Sequence, residues 1–572
     1  MPGSSRKDGI FRDTEMPNGL LILIDSLRRD IVADPEIRRH VAPTLDALIR
    51  KGGLHQIVAQ ASNTQFVMPS ILSGTAPLDH GGYNDGCKNR PSCFTETIRA
   101  AGFETALFSN CVLYNRDLGF DRGFNRVCVP SNTRRALMQD IEYRLLEPVH
   151  RWRRGEMSDS EISALLQREF GEVLDKLIRI GEENRSTPKL GRSARINRRL
   201  ARDAVRERRL LERDPLKVAE KLASIPEAYY YAALGDERAG LRLLTVRVLN
   251  KAYRAIERCM GRIGLMRRIR FGHFDSLEPL IEEVIPAVEE FVGTCDRPWF
   301  MMLHVMDVHS HVVCLDQVFR APMELFRRYL RKVQLRRVFR AIGRQVDLSY
   351  LVSLSVVDRE LGKLLEHIGA NGHADAMSLM VIADHGTTLE SVDGRTSADL
   401  TRRFFRTDLE TPLIFAGREQ LPSGHGGLWD SRDVGATLLH SFELPIPEGY
   451  DGRPIQSAPP RDYVVSENAG RNFCDLDGDD LNFAITGETA KLFAVLHDAE
   501  VRPTEFYNLS RDLDELENLV DRPESKRLVD EMLQILPRER GDILKRRGVQ
   551  LHNKAAWASA SELHQQTASD AC

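Results

Sequence analysis

Residues 19–30 read GLLILIDSLRRD, an unbroken apolar run that stops at Asp25. Six residues without polar alternation are the pattern of a parallel strand covered on both faces. Residues 42–53, APTLDALIRKGG, read as a helix with Pro43 near its start and Gly52 at its end. NTQFVMPSILSGTAP (63–77) reads as a turn entering a short helix, and FTETIRAAGFETALFS (94–109) as a helix followed by a strand. Strands alternating with helices predict a mostly parallel, helix-covered sheet, and such sheets bind ligands at the carboxyl ends of their strands.

The pattern resumes far along the chain. LEPLIEEVIPAVEEFV (277–292) reads as a helix, PWFMMLHVMD (298–307) as a strand and MSLMVIADHG (377–386) as a strand ending at Asp384 and His385. Between the two halves lie charged helix-forming stretches such as SARINRRLARDAVRERRLLER (193–213), with no strand pattern. Acids are interspersed among the arginines, so these stretches, and MELFRRYLRKVQLRRVFRAIGRQ (323–345), read as solvated helix faces. Beyond Arg453, DYVVSEN, LNFAITG and KLFAVLHD read as short strands and ELENLVDRPESKRLVDEMLQIL (515–536) as a closing helix. The expected organisation is a polar leader (1–18), the first half of an α/β domain (19–129), a helical insert (130–274), the second half (275–453), a C-terminal α+β subdomain (454–552) and a flexible tail (553–572).

Composition bounds the function classes. The 572 residues are 42% hydrophobic and 28% charged, with 80 Lys+Arg against 83 Asp+Glu. That excludes a mostly disordered chain, and the net charge of −3 gives no global reason to expect nucleic acid or an anionic membrane. The most apolar region, WFMMLHVMDVHSHVV (299–313), carries Asp307 and three histidines, so no transmembrane segment is expected. Nine cysteines without a CxxC pair fit reduced thiols, and with no secretory leader in the reading the expected setting is cytoplasmic.

A carboxylate at the end of a buried strand is costly unless something pairs with it. Asp25 and Asp384 are two such groups, and with His385 they would make an oxygen-and-nitrogen site suited to a divalent cation if one sheet brought them together. Alone, each aspartate reads equally as a helix cap.

The set as a whole resembles the sulfatase-like branch of the alkaline phosphatase superfamily. LILIDSLRRD, APTLDALIRKGG, PSILSG, DHGGYNDG, AAGFETALFSN and GFDRGF follow that family's N-terminal order. PWFMMLHVMDVH, MSLMVIADHG, DSRDVGATLLHSFELPIPEGYDGRPI, VSEN and TEFYNLSRDLDELENLV follow the remainder, so the resemblance covers Gly19–Val129 and Asp275–Leu536. It implies an alkaline phosphatase-like, doubly wound α/β fold with a helical insert and a small C-terminal α+β piece.

The resemblance also implies a site. Sulfatases carry a cysteine, converted to formylglycine, ten residues before a glycine that corresponds to Gly74; here that position is Thr64, and no cysteine lies between Asp25 and Gly74. Relatives that keep threonine there transfer phosphoryl groups. The implied metal ligands are Asp25, Thr64, Asp384 and His385, holding one divalent ion per chain. Ser26 replaces a second aspartate, which favours Mn²⁺ or Zn²⁺, with Mg²⁺ or Ca²⁺ as alternatives. His309 stands where the family binds substrate oxygens or protonates the leaving group. His304, five residues earlier, is expected on the opposite strand face as a buried structural histidine. Arg402, with Arg403 beside it, takes the place of the family's lysine and would clamp phosphate oxygens.

The leading expectation is a metal-dependent hydrolase or transferase of soluble phosphoric esters, working through a covalent phosphothreonine at Thr64. Sulfuric ester hydrolysis and a non-catalytic binding protein of the same fold remain as alternatives. No nucleic-acid partner is expected, and the helical insert is a candidate for binding a partner or mediating oligomerisation.

Overall fold

The computed structural model describes residues 17–111, 114, 118–129, 137–138, 140–183, 191–237, 240–262, 280–309, 322–373, 377–393, 404–417, 421, 427–470 and 474–549. Residues 1–16 of the leader, the tail, His311, Arg402 and Arg403 lie outside them.

Seven strands form the main sheet: β1 (Gly19–Ile24), β2 (His55–Val58), β3 (Glu104–Ser109), β4 (Arg126–Cys128), β5 (Trp299–Val305), β6 (Ser378–Ile382) and β7 (Glu410–Ala416). Their spatial order is β2-β7-β6-β1-β5-β3-β4. The five strands from β6 to β4 are parallel, while β7 runs antiparallel to β6 and β2 antiparallel to β7. Side chains of β1 alternate between two cores, with Leu21 and Leu23 in one and Leu20, Ile22 and Ile24 in the other. That double covering is why the sequence of β1 shows no polar alternation.

One face is covered by the helices Pro43–Gly52, Ile281–Thr294, Pro322–Ala341 and Leu348–Ala370. The other face is covered by Thr64–Ser73, Phe94–Ala100 and Asp433–Ser441. A four-stranded antiparallel sheet shares that second core: β8 (Tyr463–Ala469), β9 (Leu481–Gly487), β10 (Ala490–His497) and β11 (Glu500–Asn508), in the order β11-β10-β9-β8. The arginine-rich helix Gly191–Arg213 is amphipathic, and it buries Leu200, Ala204, Leu210 and Leu211 in a third core with Leu174, Leu177 and Tyr230. Within that core Lys221 Nζ pairs with Glu207 Oε2 at 2.7 Å.

Three strands were not anticipated. β2 and β4 have four and three residues, too few to show a period. β11 contains Pro503, which cannot donate to a ladder and is tolerated because β11 is an edge strand. The closing helix is also shorter than expected: it runs Lys526–Leu533, since Pro523 restricts the residue before it and the preceding ELENLV is irregular.

Gly74 ends the Thr64–Ser73 helix at φ +65°, and its amide donates to the Ser70 carbonyl at 2.9 Å. A Cβ there would stand 2.3 Å from the Tyr450 ring, whose hydroxyl donates to the Ile71 carbonyl at 3.1 Å. Gly74→Ala should therefore cost about 2–4 kcal/mol, from the left-handed backbone and the displaced ring together. Urea denaturation measures it, and an unchanged midpoint would show that the ring yields freely.

Candidate active site

Strand register brings the two strand-end carboxylates together. Leu23 of β1 pairs with Ile382 of β6, so two residues further on Asp25 stands level with Asp384. Both are completely buried. Asp25 keeps strand geometry through its amide, which donates to the Val305 carbonyl at 2.9 Å. The chain then turns at Ser26, φ +61°, so that the Ser26 amide reaches Asp384 Oδ1 at 3.4 Å and its hydroxyl donates to Asp25 Oδ1 at 2.7 Å. A positive φ outside glycine is a strained conformation, sustained here by those two contacts.

Thr64 is the first residue of its helix. Asn63 caps that helix through its own side chain, which accepts from the Gln65 amide at 3.1 Å, so the Thr64 hydroxyl has no capping role. It donates instead to Asp25 Oδ2 at 2.7 Å and lies 3.3 Å from His385 Nε2. His385 Nδ1 faces the Gly386 carbonyl at 2.6 Å. A carbonyl only accepts, so the proton of the neutral ring sits on Nδ1 and the Nε2 lone pair points at Thr64 and the carboxylates. Nε2 lies 3.8 Å from Asp25 Oδ1 and 3.5 Å from Asp384 Oδ2.

His304 corrects the sequence reading. It is buried, as expected, but its Nε2 lies 3.6 Å from Asp25 Oδ2, and one ligand atom each from Asp25, His304 and Asp384 fall within 4.8 Å of one another. Strand parity misled because β5 ends at Val305, so His309 sits on the turn beyond and is free of the alternation. His309 is exposed, with its ring centroid 6.5 Å from that of His385, so both histidines approach the same place. Behind His304, Nδ1 and Tyr114 Oη are 2.6 Å apart, and Tyr114 Oη also reaches Met68 Sδ at 3.5 Å. With the phenol O–H donated to the sulfur, the phenol oxygen accepts from Nδ1–H and leaves Nε2 of His304 free to coordinate.

The electrostatics of this cluster are unbalanced. Burial opposes ionisation of Asp25, but the imidazoles of His309, His304 and His385 outweigh it and hold the carboxyl well below the usual range. Burial likewise opposes a charge on His385, and Asp384 and Asp25 outweigh it and raise its affinity for a proton. Among the described residues, Asp384 Oδ2 and His304 Nε2 are buried without a hydrogen bond. Unsatisfied buried oxygen and nitrogen atoms converging with Asp25 fit a divalent cation, which would satisfy both and neutralise the carboxylates.

The sulfatase family profile matches residues 249–443. The phosphonate monoester hydrolase of Agrobacterium radiobacter superposes with a TM-score of 0.51 at 14% identity, covering 92% of this chain and 96% of its own. A 2-O GAG sulfatase superposes with a TM-score of 0.50 at 12% identity, covering 93% of each chain. No curated protein matches in sequence. The family match is confined to residues 249–443, and the superpositions show a fold shared with sulfatases and phosphonate monoester hydrolases. Within this fold the structure brings Asp25, Thr64, Asp384, His385 and His309 together, adds His304, and leaves Arg402 outside the described residues.

The sequence reading also missed Arg28. Its buried guanidinium donates to both oxygens of Asp30 and, through Nη1, to Asp393 Oδ2 at 2.7 Å. It thereby ties the turn after β1 to the segment after β6. The motif DSLRRD contains Arg28 but says nothing of its distant partner.

Behind β5 a second polar network anchors the strand end. Asp307 Oδ2 accepts from Asn110 Nδ2 at 2.8 Å and from the Ile281 amide at 3.1 Å, while Arg328 lies 3.5 Å from Asp307, 3.6 Å from Glu324 and 3.8 Å from Glu282. Burial pushes Glu282 up to about 7, against the opposing pull of Arg328.

Two outcomes are expected. Asp384→Ala should lower bound metal from about one ion per chain to nearly none by elemental analysis, because the cation site loses a charged ligand; unchanged content would sink the assignment. The second concerns pH. Since the folded value for Glu282 exceeds its ordinary 4.5, its stabilising contribution is complete below pH 4.5 and is lost as pH rises through about 7. Glu282→Gln should therefore reduce the stability difference between pH 5 and pH 8 by on the order of 2 kcal/mol, and an identical slope in denaturation experiments would contradict it.

Proposed function

We propose that the chain cleaves phosphoric esters by attack of Thr64 Oγ1 on phosphorus. The observation that carries this reading is the hydroxyl's placement, 2.7 Å from Asp25 Oδ2 and 3.3 Å from the lone-pair nitrogen of His385, with no capping duty to hold it back. A threonine hydroxyl is a weak nucleophile until its proton has somewhere to go. Among the described residues Asp25 Oδ2 is the acceptor that stays open to that proton when the His385 Nε2 lone pair is turned to a cation.

In the first step Thr64 gives its proton to Asp25 Oδ2, the Thr64 Oγ–P bond forms, the ester P–O bond breaks and the leaving alkoxide takes a proton from His309 at the mouth of the site. In the second, water or an acceptor alcohol gives its proton to the now neutral His309 and attacks phosphorus, the Thr64 Oγ–P bond breaks, and Thr64 takes back its proton from Asp25. A divalent ion held by Asp25, Asp384 and the neighbouring imidazoles, Mn²⁺ or Zn²⁺ by donor type, would lower the basicity of the nucleophile and offset charge on the non-bridging oxygens. We assign Arg402 to gripping those oxygens. A fold shared with sulfatases and phosphonate hydrolases does not choose between sulfur and phosphorus, so the choice rests on the site. A formylglycine hydrate can expel sulfate by re-forming its aldehyde, whereas a threonine ester has no such route and needs a second attack at the transferred atom. That favours phosphorus. The free cysteines among the described residues support a reducing, cytoplasmic setting.

Quenched reactions with an aryl phosphate ester should show phosphate mass on the Thr64 peptide, most clearly when the acceptor is scarce. Thr64→Ala should lose at least about a thousandfold in turnover, and Thr64→Ser should keep part of it. Near-parental activity of Thr64→Ala, or an aryl sulfate as the best substrate, would overturn the reading.

A further inference from the structure

The helix Pro322–Ala341 carries seven basic residues against a single acid, Glu324. Its inner face is anchored: Leu335 and Phe339 lie in the core, Arg328 faces Asp307, and Lys332 Nζ donates to Ser349 Oγ at 2.7 Å. A solvated charged helix would keep all its large apolar side chains on that inner face. This one does not. Met323 is 64% exposed, Phe326 54%, Tyr329 44% and Leu330 50%. Met323, Phe326 and Leu330 are spaced i, i+3 and i+7, and the same stripe runs on to the exposed Arg337 and Arg340. The expectation of a merely solvated face is therefore wrong for this helix: it has a second apolar face, turned outward and edged by arginine.

We infer that this face docks the chain on the surface of an anionic lipid bilayer. A helix lying in the interface plane needs large apolar and aromatic side chains to enter the acyl boundary and basic residues to meet anionic headgroups, and both are present along about 30 Å of helix. The charge decides among occupants. A second copy packed in parallel along the same stripe would set Arg337 and Arg340 against their like-charged counterparts, and one packed antiparallel would set them against the apolar Met323 and Phe326, with no acid on the stripe to pair them. Nucleic acid could stack on Phe326 or Tyr329 but would meet Met323 and Leu330, which neither stack on bases nor pair with phosphate, along the same line. Among the described residues no helix is long and apolar enough to cross a membrane. The ion pair from Arg328 to Asp307, two residues before His309, joins the docking helix to the strand end of the candidate site. The inference concerns where the chain sits, and it does not depend on the reaction proposed above.

The test is co-sedimentation of the full chain with phosphatidylcholine vesicles, with and without phosphatidylglycerol. Binding should be at least about tenfold stronger to the anionic vesicles and should weaken with added salt. Phe326→Glu with Leu330→Glu should abolish it, and Arg337→Ala and Arg340→Ala should each weaken it about fivefold. All four positions are exposed, so melting curves should match the parent; should the double variant fail to fold, Phe326→Glu alone and Arg337→Ala carry the comparison. Absence of binding to anionic vesicles at low salt, equal binding to neutral ones, or full binding by the variants would overturn the inference. So would a dimer seen by light scattering that Phe326→Glu dissolves, which would make the face an interface between copies, or tight RNA binding that depends on Arg337 and Arg340.

Discussion

Asp25 and Asp384 end neighbouring parallel strands at the same level, and neither is accessible to water. Adjacent strands are about 4.8 Å apart, so two carboxylates at this level repel strongly unless positive charge is supplied. Nearly every unusual feature of the surroundings answers that requirement. Ser26 adopts a positive φ to bring its amide to Asp384 and its hydroxyl to Asp25, and the Thr64 hydroxyl fills a second acceptor site on Asp25. Three imidazoles gather around the pair, and still Asp384 Oδ2 and His304 Nε2 take no hydrogen bond. The residue of unsatisfied charge is what fits the cluster to a cation rather than to a packed core.

The scaffold serves this cluster by holding its contributors from four separate segments. β1 and β6 supply the carboxylates, β5 supplies His304, and the helix after β2 supplies Thr64. Arg28 bridges the turns after β1 and β6, and Asp307 holds the end of β5 through Asn110 and the Ile281 amide. Gly74 and Tyr450 close the Thr64 helix at its far end. Each of these supports is buried and hydrogen-bonded, which fixes side-chain positions far better than an exposed loop could.

Much of the fold was legible because its signals are local. The runs LLILI and SLMVI, the Pro43 to Gly52 helix and the glycine ending the Thr64 helix are read correctly within a dozen residues. What misled were cases where tertiary context overrode a local rule. His304 was assigned away from the site by counting strand parity to His309, but the strand stops at Val305. The stretch 323–345 was read as a solvated charged face because its composition is basic, while the packing of Leu335 and Phe339 decides which apolar residues are left outside. An overall charge of −3 conceals that single helix.

The sequence by itself determined the strand-ending carboxylates and the alternation of strands and helices, because each follows from residue type and short-range order. Tertiary structure alone decided that Asp25 stands level with Asp384, that His304 turns toward them with Tyr114 behind it, and that Arg28 reaches Asp393. These contacts join residues from about 190 to 365 positions apart. Register and packing set them, and no pattern within one segment can encode the level at which a distant strand will stop.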